Sequence, residues 1–221
     1  MRHDEFMGGK FEWFTGIVKV IDDPKKLNRV KVHCLGFYDG VSNTDLPWAT
    51  VMMPTTSASI KGVGGNHHLE IGSWVVGFFR DGPSAQDPIV MGSIATQTDG
   101  TQDIPTGSST TNKVYNSKAG HKIELENKSG DETITVTHAK GAVITIDKDN
   151  NLSITNSGNT VLTSTGNIDL TSLANISMTA TGNIALESTT GNTSLKSTSG
   201  NISADAAGPI TITSVTKTTV V

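Results

Sequence analysis

The sequence predicts an all-β protein with a small N-terminal barrel, a β neck and a C-terminal stalk of short repeated strands. Three observations support this. Short apolar segments separated by turn residues fill the chain to residue 95, alternating segments follow to residue 156, and a Gly-Asn unit then recurs every eight or nine residues. The predicted domains are a barrel over 1–95, a linker over 96–112, a neck over 113–156 and a stalk over 157–221.

The composition limits the classes of function. The chain of 221 residues carries 17 Lys and Arg against 21 Asp and Glu, and this acidic balance argues against nucleic-acid binding through a basic surface. One cysteine, Cys34, excludes an intrachain disulfide framework and disfavours a cysteine-rich metal site. The chain has neither a membrane-spanning apolar run of about 18 residues nor a signal-type N-terminus. We therefore expect a soluble protein, made in a cytosol, that needs no cofactor.

The first part of the chain has the pattern of a small closed or sandwiched barrel. Its five strand candidates are short, β-rich and bounded by Gly, Pro, Asn or Asp. They span residues 14–21, 29–35, 46–53, 73–80 and 88–92.

The middle of the chain contains two segments with different sequence patterns. Residues 96–112 are polar and lack periodicity, which is typical of a linker. Apolar and polar residues then alternate over 121–126, 133–137, 142–146 and 151–154, which predicts β-hairpins.

The strongest pattern is an internal repeat. The units begin at Gly158, Gly166, Ala174, Gly182, Gly191, Gly200 and Gly208, with a step of eight residues at first and nine in later units. Most units read Gly-Asn, then apolar-x-apolar, then small polar residues. Residues two apart share a face of a strand, and Gly-Asn suits a tight corner.

One such strand per repeat cannot close a coil within one chain, and its backbone groups would stay unpaired. A single-chain solenoid needs several strands per coil, whereas every repeat here presents the same face. Three identical chains around an apolar axis are the simplest closure, and every strand edge is then paired. The residues predicted to pack on the axis are Ile168, Leu170, Ile176, Met178, Ile184, Leu186, Leu195, Ile202, Ile210 and Ile212.

The order of these segments resembles the contractile-tail spike family. The matching stretches are residues 14–18, 27–32, 46–49, 57–65, 72–79 and 88–92, followed by the neck from residue 117 and the repeats. The resemblance implies an N-terminal OB-fold that seats on a baseplate hub protein, and a homotrimeric β-helix that pierces the host outer membrane. It also implies a virion protein of the tail baseplate, made in the host cytoplasm.

The chain departs from two members of that family. T4-type spikes carry a lysozyme domain where this chain has only the linker, whose sole carboxylates are Asp99 and Asp103. Because glycoside hydrolysis needs two placed carboxyl groups in a cleft, we expect no enzyme activity. P2-type spikes end in a His-x-His iron site, whereas no histidine follows His138 here. We therefore expect a separate PAAR-type tip protein to contact Val220 and Val221.

Two other classes of function stay open at this stage, namely a minimal peptidoglycan hydrolase and an OB-type module that binds oligonucleotides or saccharides. The three tryptophans, Trp13, Trp48 and Trp74, could be stacking platforms. The acidic net charge favours barrel core or a protein interface instead. Within the spike class, the short chain favours a phage tail over a tailocin or a secretion system.

Four further motifs have plainer structural interpretations. His67 and His68 are adjacent, so their side chains diverge on an extended loop. Residues 147–151 begin like a calcium loop but lack its glycine and closing glutamate, which favours a hairpin turn. Residues 62–65 are glycine-rich without a following helix, which favours a mobile loop. Cys34 is expected to be a small buried hydrophobe.

Overall fold

The computed structural model describes residues 12–213. The chain divides into two units, Met1–Thr160 and Val161–Val221. Within the described residues, no helix has the length and hydropathy needed to cross a bilayer.

The first unit begins with a closed five-stranded barrel, as the strand pattern predicts. The strands are β1 (Glu12–Val20), β2 (Val30–Cys34), β3 (Trp48–Val51), β4 (Trp74–Phe79) and β5 (Pro88–Ile94). Their order around the barrel is β1-β2-β3-β5-β4, and β4 pairs back onto β1. All pairs are antiparallel except β3 with β5.

Alternation along the strands builds the barrel core. In β2, Val30, Val32 and Cys34 point inward, and in β4, Val75 and Phe79 do the same. The remaining buried hydrophobic residues are Phe14, Val18, Tyr38, Leu46, Ala49, Ala85 and Val90. The prediction for Cys34 is confirmed, because its side chain is fully buried in this core and burial raises the pKa of its thiol to about 12.

Residues 96–112 contain more structure than the sequence predicts. Two short strands, β6 (Gln97–Thr98) and β7 (Thr101–Gln102), form a hairpin closed by Asp99 and Gly100. Both turn residues have positive φ, 49° and 79°, as a two-residue turn between antiparallel strands requires. The sequence did not predict this hairpin, because two-residue strands are too short to show alternation.

The neck is a five-stranded antiparallel meander. Its strands are β8 (Asn112–Asn116), β9 (Lys122–Glu126), β10 (Thr133–Thr137), β11 (Val143–Ile146) and β12 (Leu152–Thr155). The hairpin prediction for residues 147–151 is confirmed, since this turn joins β11 to β12. Asp147 Oδ1 accepts hydrogen bonds from the backbone N–H groups of Asp149 and Asn151, both at 2.9 Å.

Residues 156–213 form an extended segment with regularly spaced bends. The bends lie at 157–158, 165–166, 173–174, 181–182, 189–191, 198–200 and 207–208, so each falls at the start of a sequence repeat. The described residues beyond β12 contain no strand, because no neighbouring backbone pairs with them.

Candidate assembly surfaces

One side of the neck sheet is an exposed apolar surface, which we call the neck face. In register, Ile134 lies opposite Leu125 on one side and Ile146 on the other, and Val136 lies between Ile123 and Ile144. The neck face comprises Tyr115, Ile123, Leu125, Ile134, Val136, Ile144, Ile146, Leu152 and Ile154. These side chains are between 38% and 65% exposed.

The opposite side of the same sheet is polar. Glu124 lies between Val114 of β8 and Thr135 of β10, and Lys122 Nζ lies 2.8 Å from Glu124 Oε2. An antiparallel sheet with one polar face and one apolar face normally covers the apolar face with protein. Monomeric proteins rarely expose contiguous apolar patches larger than a few hundred Å². The neck face therefore has the properties of an association surface.

The residues predicted to pack on the axis are not packed within a single chain. All ten, from Ile168 to Ile212, are between 51% and 70% exposed. Along the extended segments they alternate with small or polar residues, as Ile184 and Leu186 do around Ala185. Val220 and Val221, the predicted contacts for a tip protein, lie outside the described residues.

The backbone of the described stalk residues does not pair with any other backbone of the same chain. Between residues 156 and 213, the structure forms no backbone–backbone hydrogen bond. This arrangement contradicts a single-chain solenoid, in which each coil pairs with the next coil of the same chain. Unpaired backbone groups are costly wherever water is removed from them.

The local hydrogen bonds of the stalk lie at its corners. Ser164 Oγ accepts the N–H of Gly166 at 3.1 Å, and Ser172 Oγ accepts the N–H of Ala174 at 3.1 Å. In the two nine-residue units the serine stands one residue further back, since Ser188 and Ser197 bond the N–H groups of Gly191 and Gly200. The extra residue therefore lengthens the corner and leaves the apolar-x-apolar strand unchanged.

The histidine pair, the possible metal ligands and the glycine-rich segment have structural explanations. His67 packs its ring against Tyr115, with centroids 5.3 Å apart, and His68 Nε2 lies 3.2 Å from the Asn66 amide. Among the described residues, no three His, Cys, Asp or Glu side chains are grouped as a metal site. The 62–65 segment closes a tight turn in which Ile60 and Val63 exchange backbone hydrogen bonds.

The tryptophans lie outside the barrel core, so that part of the prediction is wrong. Trp13 is 55% exposed and contacts Phe78, because the inward positions of β1 are taken by Phe14 and Val18. Trp48 is half-buried and packs against two cations, with Arg29 5.3 Å and Lys31 5.1 Å from its ring centroid.

The two linker carboxylates do not form a catalytic pair. Asp99 occupies the hairpin turn, and Asp103 accepts hydrogen bonds from the hydroxyls of Thr96 and Thr98. The adjacent cleft, of about 640 Å³, lies between this hairpin and the barrel strands β4 and β5, and Asp103 is the only carboxylate among its lining residues.

The described residues thus contain a closed small barrel, an apolar neck face and a repetitive stalk that lacks backbone–backbone hydrogen bonds. Residues 31–169 match the family model described as the Gp5 N-terminal OB domain. Because this match spans more than half of the chain, the chain belongs to that family, that of the T4-type tail spikes.

Two curated relatives agree with this assignment. The chain is 36% identical over 114 residues to Protein Gp5 of Vibrio phage KVP40, a segment that covers 47% of this chain and 26% of the relative. It is 34% identical over 87 residues to the pre-baseplate central spike protein Gp5 of Enterobacteria phage T4, covering 35% of this chain and 15% of the relative. The chain therefore aligns with about a quarter or less of each relative.

The neck face is the surface that the sequence interpretation missed. The neck was predicted as hairpins, but its apolar positions were not assigned to an interface. The signal was present as strict alternation, for example Ile123 and Leu125 between Lys122, Glu124 and Glu126.

Proposed function

We propose that this protein is the structural central spike of a phage tail baseplate and that it acts as a homotrimer. Family membership and the name of the T4 relative support the baseplate role. The observation that carries the trimer is the stalk backbone, which between residues 156 and 213 pairs with no other backbone of its own chain although its side chains alternate as in strands.

In a trimer, both the exposed stalk and the exposed neck face would be covered by other copies of the chain. Three stalks that each contribute one strand per layer would pair every backbone edge and enclose the ten predicted axis residues. Three neck sheets would cover one another's neck faces. This arrangement supports the predicted division into barrel, linker, neck and β-helix, with the boundaries at residues 95, 112 and 156.

The finer parts of the proposed role rest on the resemblance to the contractile-tail spike family. The barrel would seat on a baseplate hub protein, and the stalk would be driven through the host outer membrane. A PAAR-type tip protein would cover the far end at Val220 and Val221, since an open apolar axis with free strand edges invites association.

The protein would act mechanically and not as an enzyme. Asp103 is bonded to two threonine hydroxyls, and its cleft provides no second carboxylate among the lining residues. A turbidity assay with purified peptidoglycan tests this directly. We expect no clearing by the purified chain, and clearing would identify a hydrolase instead.

Light scattering coupled to size-exclusion chromatography tests the trimer. We expect a mass three times the 23.2 kDa of the chain, with circular dichroism showing β-structure beyond that of the barrel and neck. A stable monomer with the same β content would contradict the proposal.

A further inference from the structure

A pair of histidines lies at one end of the neck face. His121 precedes Lys122 on β9 and His138 follows Thr137 on β10, and Lys122 and Thr137 are cross-strand partners. The two histidines therefore share the face of Ile123 and Val136, and their ring centroids are 4.5 Å apart.

Each ring accepts a backbone hydrogen bond. His121 Nδ1 accepts the N–H of Ala139 at 3.3 Å, and His138 Nδ1 accepts the N–H of Lys140 at 3.1 Å. A nitrogen that accepts a hydrogen bond carries no proton, so this arrangement places the proton of a neutral ring on Nε2. Protonation of Nδ1 would remove both acceptors and would place two cations side by side.

The side chains around the two rings would not balance the positive charge of protonated histidines. On this face, β8 contributes Lys113 and Tyr115, while β11 and β12 contribute only aliphatic side chains. The adjoining turns add Lys140 and Lys118, and Lys118 Nζ lies 2.8 Å from Glu70 of the barrel, which it neutralises. His67 of the barrel packs on Tyr115 and brings a third imidazole to this end of the face.

Resting on the trimer proposed above, we propose that the neck closes over His121 and His138 only while both rings are neutral, so that acid opens this end of the neck. Imidazole gains its proton between about pH 5 and 8, and burial of an unpaired charge is costly. Because the charged form is disfavoured in the closed neck, closure is stable above this range. Its stability falls as the pH falls through the range. The stalk lacks histidine and would keep the three chains together.

Amide hydrogen exchange on the full chain, corrected for the intrinsic effect of pH, tests the proposal. From about pH 8 to about pH 5, we expect exchange of peptides within 113–146 to rise by about tenfold or more, since each linked proton changes the opening equilibrium tenfold per pH unit. Stalk peptides should change little. Equal neck protection at both pH values would overturn the proposal.

A double variant, His121→Asn with His138→Asn, provides the matched test. Asparagine Oδ1 can accept the same backbone N–H groups but does not titrate. We expect its neck protection to be the same at both pH values, whereas the control His68→Asn should keep the acid response. A persistent acid response in the double variant would assign it to other groups and overturn the proposal.

A second readout needs no substitution. Diethyl pyrocarbonate acylates neutral imidazole, and peptide mapping of the wild-type protein at about pH 8 should show slower labelling of His121 and His138 than of exposed His68. Equal labelling would mean that the pair is uncovered and would contradict the proposal. A monomeric mass at the same pH would contradict the trimer itself, so the two failures are distinguishable.

Discussion

At the scale of single residues, Asp23 organises the connection from β1 to β2. Its side chain is buried and accepts backbone N–H groups from Lys25, Leu27 and Arg29. The Arg29 guanidinium donates to both carboxylate oxygens, at 3.0 and 2.7 Å, and this ion pair holds the pKa of Asp23 far below its usual range. The Asp23 carboxylate therefore accepts hydrogen bonds from three backbone N–H groups of this turn.

We expect Asp23→Asn to lower the thermal midpoint of the barrel by ~5 °C or more, because the neutral amide removes the charge that pairs with the partly buried Arg29. Tryptophan fluorescence is the appropriate readout, since all three tryptophans belong to the barrel. The neighbouring variant Asp22→Asn, at an exposed position, should leave the midpoint unchanged. Equal midpoints for the two variants would refute this role for Asp23.

The same carboxylate makes the barrel acid-sensitive. The unfolded chain binds a proton at the ordinary aspartate pKa of about 3.9, whereas the folded chain does so only at much lower pH. Folding stability from this group is thus complete above about pH 4 and decreases as the pH falls below it. Barrel midpoints measured from about pH 6 to pH 2 should fall more steeply in the wild type than in Asp23→Asn.

Gly77 shows how closely β1, β4 and β5 approach one another. A Cβ at this position would lie 2.0 Å from the Ile89 carbonyl oxygen and 2.6 Å from Cζ of Phe14. We expect Gly77→Ala to destabilise the barrel by about 1–3 kcal/mol. Gly92→Ala is the matched control, because nothing lies within 4 Å of its Cβ. A thermal midpoint of the barrel equal to that of Gly92→Ala would show that the strands can move apart without loss of stability.

At the scale of elements, the neck and the described part of the stalk both leave apolar side chains exposed in a single chain. The neck sheet pairs its own backbone and exposes only side chains. The stalk exposes its side chains and its backbone alike. Copies of the chain are therefore expected to meet through side-chain packing in the neck and through strand pairing in the stalk.

For the neck, we expect Ile134→Asp to weaken assembly, because three charges would enter an apolar interface. Thr135→Lys puts a charge on the opposite side of β10, where it faces Glu124, and should be tolerated. Trimer mass after dilution, followed by light scattering, distinguishes the two variants. Equal loss of trimer in both would mean that the neck face is not the buried side.

For the stalk, Ile184→Asp or Leu186→Asp should prevent trimer formation, whereas Ala185→Asp should not. The residues alternate along one extended segment, so only the first two point to the predicted axis. Thermal stability and mass of the purified variants provide the test. An unchanged Ile184→Asp protein would show that the inward assignment is wrong.

At the scale of the whole molecule, the sequence predicts the barrel and the repeat because both depend on local patterns. Alternation locates the five barrel strands to within a few residues, and the repeat unit, which begins with Gly-Asn in five of its seven copies, locates the bends of the described stalk. The sequence does not predict the β6–β7 hairpin, because each strand has only two residues. It does not predict the outward position of the tryptophans either, because residue type alone does not fix which face of a strand points inward.

The neck face illustrates a different limit. Its alternation predicts hairpins, but no local signal states which side of an exposed sheet is covered by another copy. The charged side of β9 carries Lys122, Glu124 and Glu126, which bond within the sheet, and only the paired register shows the apolar side to be continuous across five strands.

An experimental structure of the purified full-length protein tests the central claim most directly. We expect each layer between Gly158 and Ile212 to contain one strand from each of three chains, with Ile184 and Leu186 on the shared axis. A stalk in which one chain pairs only with itself, or remains unpaired in solution, would contradict it.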